Sequence, residues 1–456
     1  MIKHIPKNKI ILAGGDCVIV LISFYICYAL RTKEYVHVIS DYTCASFLSL
    51  FLIVFTIYLA DIYSIKNNLG CASIASRLAV ALIIAYGLIA AFLYGLNLWY
   101  FSRIALAYSA VVIFSFMLAW RLGYYIICKY HEVPSRVLVI GAGSMGRFLC
   151  GILSTSNDYE IVGYLDDDDE KINMNIGSSK VIGRTSELLH LVETGNINEI
   201  VIAINEVKTL SLFRELINIK FSGIEVSGML GFCEKVSLKV PVFYLSDSWL
   251  SYAEFYGISK NIYNTIVKNA FDKIAAVSGI VALFPLMIIV SIAIKIDSRG
   301  PAFFKQERGG EGPRVFQAHK FRTMEWRNGS KSSHEGSMTI SRVTRIGKIL
   351  RFFRIDEIPQ LWNVLMGDMS VIGPRALVKE EVRHFSDKVP YFSLRHAIKP
   401  GITGWAQVNY RHGANVEDGI EKLQYDLYYI KNLSIILDLH IIVKTIRVMC
   451  FGKGAR

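Results

Sequence analysis

At 456 residues the chain is too long for one ordinary domain, and 53% apolar content with a mean hydropathy of +0.38 exceeds what a water-soluble protein usually carries. Lys and Arg number 50 against 38 Asp and Glu, a net charge of +12 that suits a protein lying against an anionic leaflet; no nucleic-acid-binding motif accompanies it, so nucleic acid is not an expected partner. The 8 cysteines form no C-x-x-C and no grouping with histidine, which argues against a disulfide framework and against zinc.

Four apolar stretches come first, at about residues 10–30, 42–63, 77–96 and 104–125, each near the ~20 residues needed to cross a bilayer. The first lacks the small-residue end of a cleaved signal peptide. Lys3, Lys7, Lys9, Lys66, Arg77, Arg121, Lys129 and Arg136 fall on one side and only Arg31, Lys33 and Arg103 on the other, which places both ends of a bundle over 1–130 in the cytoplasm. After His131-Glu-Val-Pro134 the pattern alternates between strand and helix. Arg136 to Gly141 predicts a buried strand, Ser144 to Leu153 a helix, Glu160 to Asp166 a second strand, and similar units continue to about Leu230. The expectation is a Rossmann-like parallel sheet over 135–250.

Residues 274–294 are uncharged and long enough to span, with Pro285 in the middle. Proline removes a backbone donor and clashes with the preceding turn, which predicts a kink. A full crossing would also send everything after it to the far side. A re-entrant helix over 265–298 instead keeps Lys268, Lys273 and Lys295 at one interface, and leaves residues 299–456 as an α/β catalytic domain on the cytoplasmic face.

The chemistry concentrates in Arg351-Phe-Phe-Arg-Ile-Asp356-Glu357-Ile-Pro359, with Gly373-Pro374-Arg375 further along. Ile358, Leu361, Trp362, Leu365 and Met366 have the spacing of one buried helix face, and Gly367 suits its end. Asp356 would be the N-cap, where the helix dipole keeps it ionised, and Pro359 is tolerated in the first turn. Glu357, pointing about 100° away, is then free to hold magnesium. An isolated Asp-Glu pair is usually no more than a cap and a solvated neighbour. Here Lys320, Arg345, Lys348, Arg351, Arg354 and Arg375 surround it, although Lys/Arg at three-residue spacing from Arg342 to Arg354 also suit a solvated or lipid-facing surface.

Several blocks carry a resemblance: Phe303 to Arg308, Lys320-Phe-Arg-Thr-Met324, Arg351 to Asn363, Gly367 to Arg375, and Lys399-Pro-Gly-Ile-Thr-Gly-Trp-Ala-Gln-Val408. In that order, over about 265–452, they resemble the bacterial sugar transferases, the monotopic phosphoglycosyl transferases that act on polyprenyl phosphate. The preceding bundle and Rossmann-like domain resemble the large members, which initiate exopolysaccharide, capsule or O-antigen units at the bacterial inner membrane. The resemblance implies that Asp356 attacks the sugar-bearing phosphate of a UDP-sugar, releasing UMP and forming a phosphosugar-aspartyl enzyme. Polyprenyl phosphate then takes the phosphosugar, in ping-pong fashion. It further implies Mg²⁺ on Glu357 and phosphate neutralisation by Lys320, Arg351 and Arg375. The family's Pro-Arg-Pro is Pro374-Arg375-Ala376 in this chain, which bears on loop rigidity rather than charge.

Gly141-x-Gly143-x-x-Gly146 comes after a strand and opens a helix, with Asp166 20 residues beyond Gly146, the context of a dinucleotide fingerprint. A fold that kept its turn glycines without a ligand fits equally well, and Asp166-Asp-Asp-Asp169 also suits a solvated turn. In the family this domain resembles CoA- or NAD-binding folds, which implies a regulatory or structural role; a nucleotide stays open as a second ligand, as does self-association. Two other functions fit parts of the chain. A membrane-anchored nucleotide-sugar dehydratase or epimerase would use Tyr256-x-x-x-Lys260, and a nucleotide-sensing transport protein would need polar path residues in the spans, where Asp16 and Asp61, both near ends, are the only acids.

Overall fold

The computed structural model describes residues 7–32, 43–60, 62–63, 71–95, 103–131, 134–154, 156, 158–204, 209–326, 343–410 and 415–451. Lys3, Lys33, Asp61, Lys66 and Arg342 lie outside these. The chain divides into two compact units, Met1–Glu132 and Val133–Arg456.

The first unit is helical: α1 (Lys7–Thr32), α2 (Thr43–Leu59), α3 (Cys71–Gly95) and α4 (Arg103–His131). Ile74–Phe92 and Leu106–Tyr124 meet the length and hydropathy of a membrane span, and the apolar parts described for the first two helices, Ile11–Ile26 and Phe47–Leu59, are shorter. Val20, Ile53, Ile57, Leu78, Ile113 and Met117 form the shared core. Arg121, a flanking charge by its place in the sequence, is instead buried inside this unit. Its Nη1 and Nη2 donate to Asp16 Oδ1 and Oδ2 at 2.9 and 2.6 Å, and the Tyr63 hydroxyl donates to Asp16 Oδ2 at 2.7 Å. A lone charge in an apolar slab is costly, and a bidentate pair offsets that cost while tying α1 to α4.

The second unit begins with the expected α/β domain. β1 (Ser135–Ile140), β2 (Tyr159–Leu165), β3 (Asn175–Ile176), β4 (Ser179–Gly183), β5 (Glu199–Ile202) and β6 (Glu225–Gly228) form one sheet in the order β3-β4-β2-β1-β5-β6, parallel except for the β3-β4 hairpin. Val137 and Val139 enter one apolar cluster and Leu138 and Ile140 another, so helices cover both faces, as a parallel sheet requires. α5 (Ser144–Leu153) leaves β1 through the glycine loop, and α6 (Leu188–Thr194), α7 (Leu210–Phe221) and α8 (Met229–Ser237) complete the layers.

The chain after α8 is no loose spacer. Val240 and Val242 are buried in the same core as Trp405, Tyr428 and Tyr429, the Val240 amide donates to Gln424 O at 3.0 Å, and the Trp405 indole donates to Leu238 O at 3.0 Å. Glu234 pairs with Lys431 and Lys239 with Glu421, both at 2.6 Å. After the short α9 (Asp247–Tyr252), α10 (Lys268–Asp297) is one continuous helix that carries Pro285 inside it. A hairpin of β7 (Phe303–Gly309) and β8 (Val315–Phe321) comes next, then α11 (Arg345–Phe352), a 3₁₀ turn (Ile355–Gln360) and α12 (Leu361–Met366). β9 (Ser370–Ile372) pairs in parallel with β10 (Gly401–Thr403) across α13 (Lys379–Ser386) and a 3₁₀ turn (Phe392–Ala397). α14 (Trp405–Asn409), α15 (Val416–Lys431) and α16 (Ile435–Phe451) close the unit.

Candidate active site

The site is built where α11 gives way to the 3₁₀ turn. Thr344 caps α11, its hydroxyl accepting from Gly347 N–H at 2.9 Å. The helix ends at Phe352, and Arg354 adopts a left-handed conformation with φ 55°. That backbone is unfavourable for a side-chain-bearing residue, and such strain concentrates at functional sites. Asp356 is therefore not a helix N-cap. It sits one residue inside the 3₁₀ turn, with Arg354 in the capping position.

The turn also shifts the phase of α12. A 3₁₀ turn advances 120° per residue where an α-helix advances 100°, so the predicted apolar stripe does not all face inward. Asn363 and Val364 are buried, whereas Trp362 and Met366 are exposed at 52% and 65%. Gly367, with φ 88°, ends α12 as the sequence suggests.

Glu357 points into the unit and gathers the cations. Arg375 Nη2 donates to its Oε1 at 2.8 Å, Lys320 Nζ donates to the same oxygen at 3.5 Å, and Arg354 Nη1 lies 3.9 Å from Oε2. Burial alone would push Glu357 up, but Arg375 and Lys320 more than reverse it and hold the carboxyl at about 2. Asp356 moves the other way. Burial and then the charge of Glu357 raise it above the ordinary carboxylate value, with Lys320 and Arg351 pulling against them. Lys320 is lowered to about 8, first by burial and then by the charge of Arg308. Two adjacent carboxyls are thus driven apart, one firmly ionised and one poised to be a stronger base. The expectation that a helix dipole keeps Asp356 ionised gives way to this balance, and Glu357 is not free but ion-paired.

Arg351 extends toward the same place, its Nε donating to Thr323 Oγ1 at 2.9 Å. Lys320, Arg351, Asp356, Glu357 and Arg375 therefore converge. Sequence reasoning missed Asn363, which is 1% exposed and grips β8: its Oδ1 accepts from the His319 amide at 3.0 Å and its Nδ2 donates to Gln317 O at 2.7 Å. Lys320 is the next residue along that strand. A buried asparagine on a helix that otherwise buries apolar residues was the available signal. Arg308, which closes the Phe303 to Arg308 block, and Arg395 are both buried, and sequence reasoning gave neither a role in the site.

In the α/β domain Gly141 has φ +109°, and a Cβ on it would lie 2.6 Å from Ala203 O; a Cβ on Gly146 would strike Gly141 O. Those two glycines are required by the fold itself. A Cβ on Gly143 would meet nothing within 4 Å. Asp166 accepts from the Ala142 amide at 2.8 Å and the Asp168 amide at 3.1 Å, so its carboxylate is engaged in holding the loop. Asp167, Asp168 and Asp169 are exposed, as a solvated turn requires, and two of them also hold it in place: Asp167 Oδ1 accepts from the Thr185 amide at 2.9 Å, and Asp169 pairs with Arg184. Tyr256 is half exposed and donates to Glu254 at 2.9 Å.

The second unit thus joins a Rossmann-like domain and an apolar helix of spanning length to an α/β unit with an Asp-Glu pair among cations, Glu357 buried and Asp356 half-buried, the class of a membrane-associated phosphate enzyme. Residues 263–452 match the bacterial sugar transferase family, and residues 58–214 match a CoA-binding domain. The chain is 45% identical over 193 residues to a UDP-N-acetylgalactosamine-undecaprenyl-phosphate N-acetylgalactosaminephosphotransferase of Aeromonas hydrophila, covering 42% of this chain and 45% of that protein. It is 40% identical over 192 residues to a UDP-glucose:undecaprenyl-phosphate glucose-1-phosphate transferase of Xanthomonas campestris pv. campestris, covering 41% and 40%. An exopolysaccharide production protein PSS of Rhizobium leguminosarum bv. phaseoli is 38% identical over 198 residues, 41% of this chain and 98% of its own length. The chain belongs to the bacterial sugar transferase family. It matches less than half the length of the Aeromonas and Xanthomonas relatives.

Proposed function

We propose that this protein transfers a sugar-1-phosphate from a UDP-sugar to undecaprenyl phosphate at the cytoplasmic face of the bacterial inner membrane, initiating a polysaccharide repeat unit. The observation that carries the reading is the division of labour in the Asp356-Glu357 pair, set among Lys320, Arg351 and Arg375. An Asp356 oxygen forms a bond to the sugar-bearing phosphorus as the bond to the UMP oxygen breaks, and UMP leaves with that electron pair. A phosphate oxygen of undecaprenyl phosphate then attacks the same phosphorus and frees Asp356. Lys320, Arg351 and Arg375 hold phosphate oxygens, the arginines through forked donors that match two at once.

Magnesium fits this donor set as a partner of Glu357. Oε1 takes both close cations while the Arg354 guanidinium stays 3.9 Å from Oε2, and magnesium commonly takes one or two protein carboxylates plus substrate phosphates. When bound it would neutralise phosphate charge. Engagement of Arg375 and Lys320 by substrate would release Glu357 toward it.

The membrane placement draws on α10. Asp272, Ala276, Val290 and Ile294 are buried, on both sides of Pro285, and Ala276 and Val290 belong to clusters formed with the catalytic unit. Ile274, Val277, Val281, Phe284, Ile288 and Ile292 are exposed on the outer face. A helix docked along both halves on one globular unit, with lipid-suited residues outward, supports a seat on one face of the membrane; a bend at Pro285 would let Lys268 and Lys295 share that interface as a re-entrant helix. Trp362, Met366, Phe352 and Phe353, exposed around the dyad, suit the same depth.

The test is UMP release across a panel of UDP-sugars with undecaprenyl phosphate and Mg²⁺. Release with at least one sugar, lost in Asp356→Asn, is expected. Folded protein that yields no UMP from any of them, or an Asp356→Asn variant that keeps full turnover, would reject the reading.

A further inference from the structure

Ala376 stands where the family's second proline is expected, and proline there would restrict both itself and Arg375 before it. The fold restrains this loop in another way, through three consecutive carbonyls. The Gly401 amide donates to Pro374 O at 2.8 Å, Arg395 Nη2 donates to Arg375 O at 3.0 Å, and Arg308 Nη1 donates to Ala376 O. On either side the Gly373 amide donates to Thr403 O at 2.9 Å and the Gly309 amide to Leu377 O at 3.0 Å.

Amide pairing of this kind is ordinary near a strand; two buried guanidinium groups on adjacent carbonyls are not. Arg395 is 3% exposed, Asp426 lies 2.8 Å from it and is 1% exposed, and its guanidinium carbon stands 5.1 Å from the Phe392 ring centre. Arg308 is also buried and donates to Gln306 Oε1 at 3.0 Å. Buried ion pairs are weak sources of stability compared with apolar residues of the same volume, so their use here calls for a task that apolar residues cannot perform. Donating to backbone oxygens is such a task. The two arginines reach one loop from different elements, Arg308 from β7 and Arg395 from the 3₁₀ turn after α13.

We propose that Arg395 and Arg308 are positioning residues that clamp the Arg375 and Ala376 carbonyls, supplying the rigidity that a second proline would give and keeping the Arg375 guanidinium aimed at the reacting phosphate. The inference rests on Arg375 as the phosphate-binding arginine of the proposed reaction. Its geometry matters because Arg375 must exchange Glu357 for a substrate phosphate without the loop moving with it, and displacement of a positioning group by about 1 Å can cost 10²-fold in rate.

The test compares Arg395→Met, Ala376→Pro and the double variant as full-length protein in lipid nanodiscs. Arg375 forms a parallel bridge with Gly401, so the cost of proline at 376 to that pairing is read from Ala376→Pro alone. Arg395→Met is expected to lower kcat/KM for the UDP-sugar by roughly 10- to 100-fold and to speed amide exchange at Gly401, whose N–H reports the clamp. Adding Ala376→Pro should recover most of the loss, measured against Ala376→Pro alone. An Arg395→Met protein with unchanged kcat/KM and Gly401 exchange overturns the proposal, as does a loss that proline leaves untouched. If Arg395→Met does not fold, Arg308→Lys, which keeps the charge without the fork, carries the same comparison. Should the unaltered enzyme release no UMP, the transferase reading fails, while Gly401 exchange still judges the clamp.

Discussion

Lys320 offers the sharpest test of the site's electrostatics. Burial and the nearby charge of Arg308 lower it from 10.5 to about 8, a shift worth about 3 kcal/mol between its two protonation states. With that value the lysine is roughly nine-tenths charged at pH 7 and one-tenth at pH 9. Because only the ammonium neutralises phosphate, kcat/KM should fall about tenfold per unit above pH 8. Lys320→Arg stays charged across this range, so its alkaline limb should vanish even if its overall rate is lower. The assay is UMP release at subsaturating UDP-sugar between about pH 6 and 10. The stability sign is opposite to the activity sign. A folded pKa below the unfolded one means the charged lysine costs stability at neutral pH, and the cost is relieved as pH rises through 8 toward 10.5. A wild-type profile flat to about pH 9.5, or an identical alkaline limb in Lys320→Arg, would refute the reasoning.

Because Asp356 is raised above its ordinary value, the acid limb of the same profile should lie above that of a free aspartate and disappear with activity in Asp356→Asn, read by UMP release. Asn363→Ala removes the grip on β8 and leaves the Gln317 carbonyl without that donor; chemical denaturation should show a loss of about 2–3 kcal/mol, and kcat/KM should fall through misplacement of Lys320. Gly146→Ala should destabilise the α/β domain by driving a Cβ into Gly141 O, whereas Gly143→Ala should leave thermal unfolding unchanged; equal effects at the two positions would contradict the loop geometry. In the helical unit, Arg121→Met strands the Asp16 carboxylate at a cost of about 3–5 kcal/mol, and pairing it with Asp16→Asn should recover part of that, by unfolding in detergent.

The α/β domain was legible because its signals are local. Buried strands are continuous apolar runs, and the turn glycines lie where the chain reverses. The charged side chains of the site were legible as types in a motif, and they do converge. Geometry set by distant contacts was not legible. The 3₁₀ turn that displaces Asp356 from an N-cap depends on how Arg354 turns the chain, and helical periodicity cannot report a change of pitch one turn long. Arg121 looked like a flanking charge because its partner, Asp16, lies 105 residues away. The roles of Arg308 and Arg395 were not legible because their partners include backbone oxygens, which every residue possesses.

The seam formed by residues 238–242 has a consequence for how this enzyme can be taken apart. By topology the α/β domain is a separable module, but Leu238 supplies the acceptor for the Trp405 indole, and Val240 and Val242 fill the core around Tyr428 and Tyr429. Excision before the apolar helix would open a cavity and strand an indole donor inside the catalytic unit. The two parts are therefore expected to melt as one cooperative block. Grafts exchanging the α/β domain between relatives should preserve the whole segment from Glu234 to Val242 with its partners Trp405, Glu421 and Lys431.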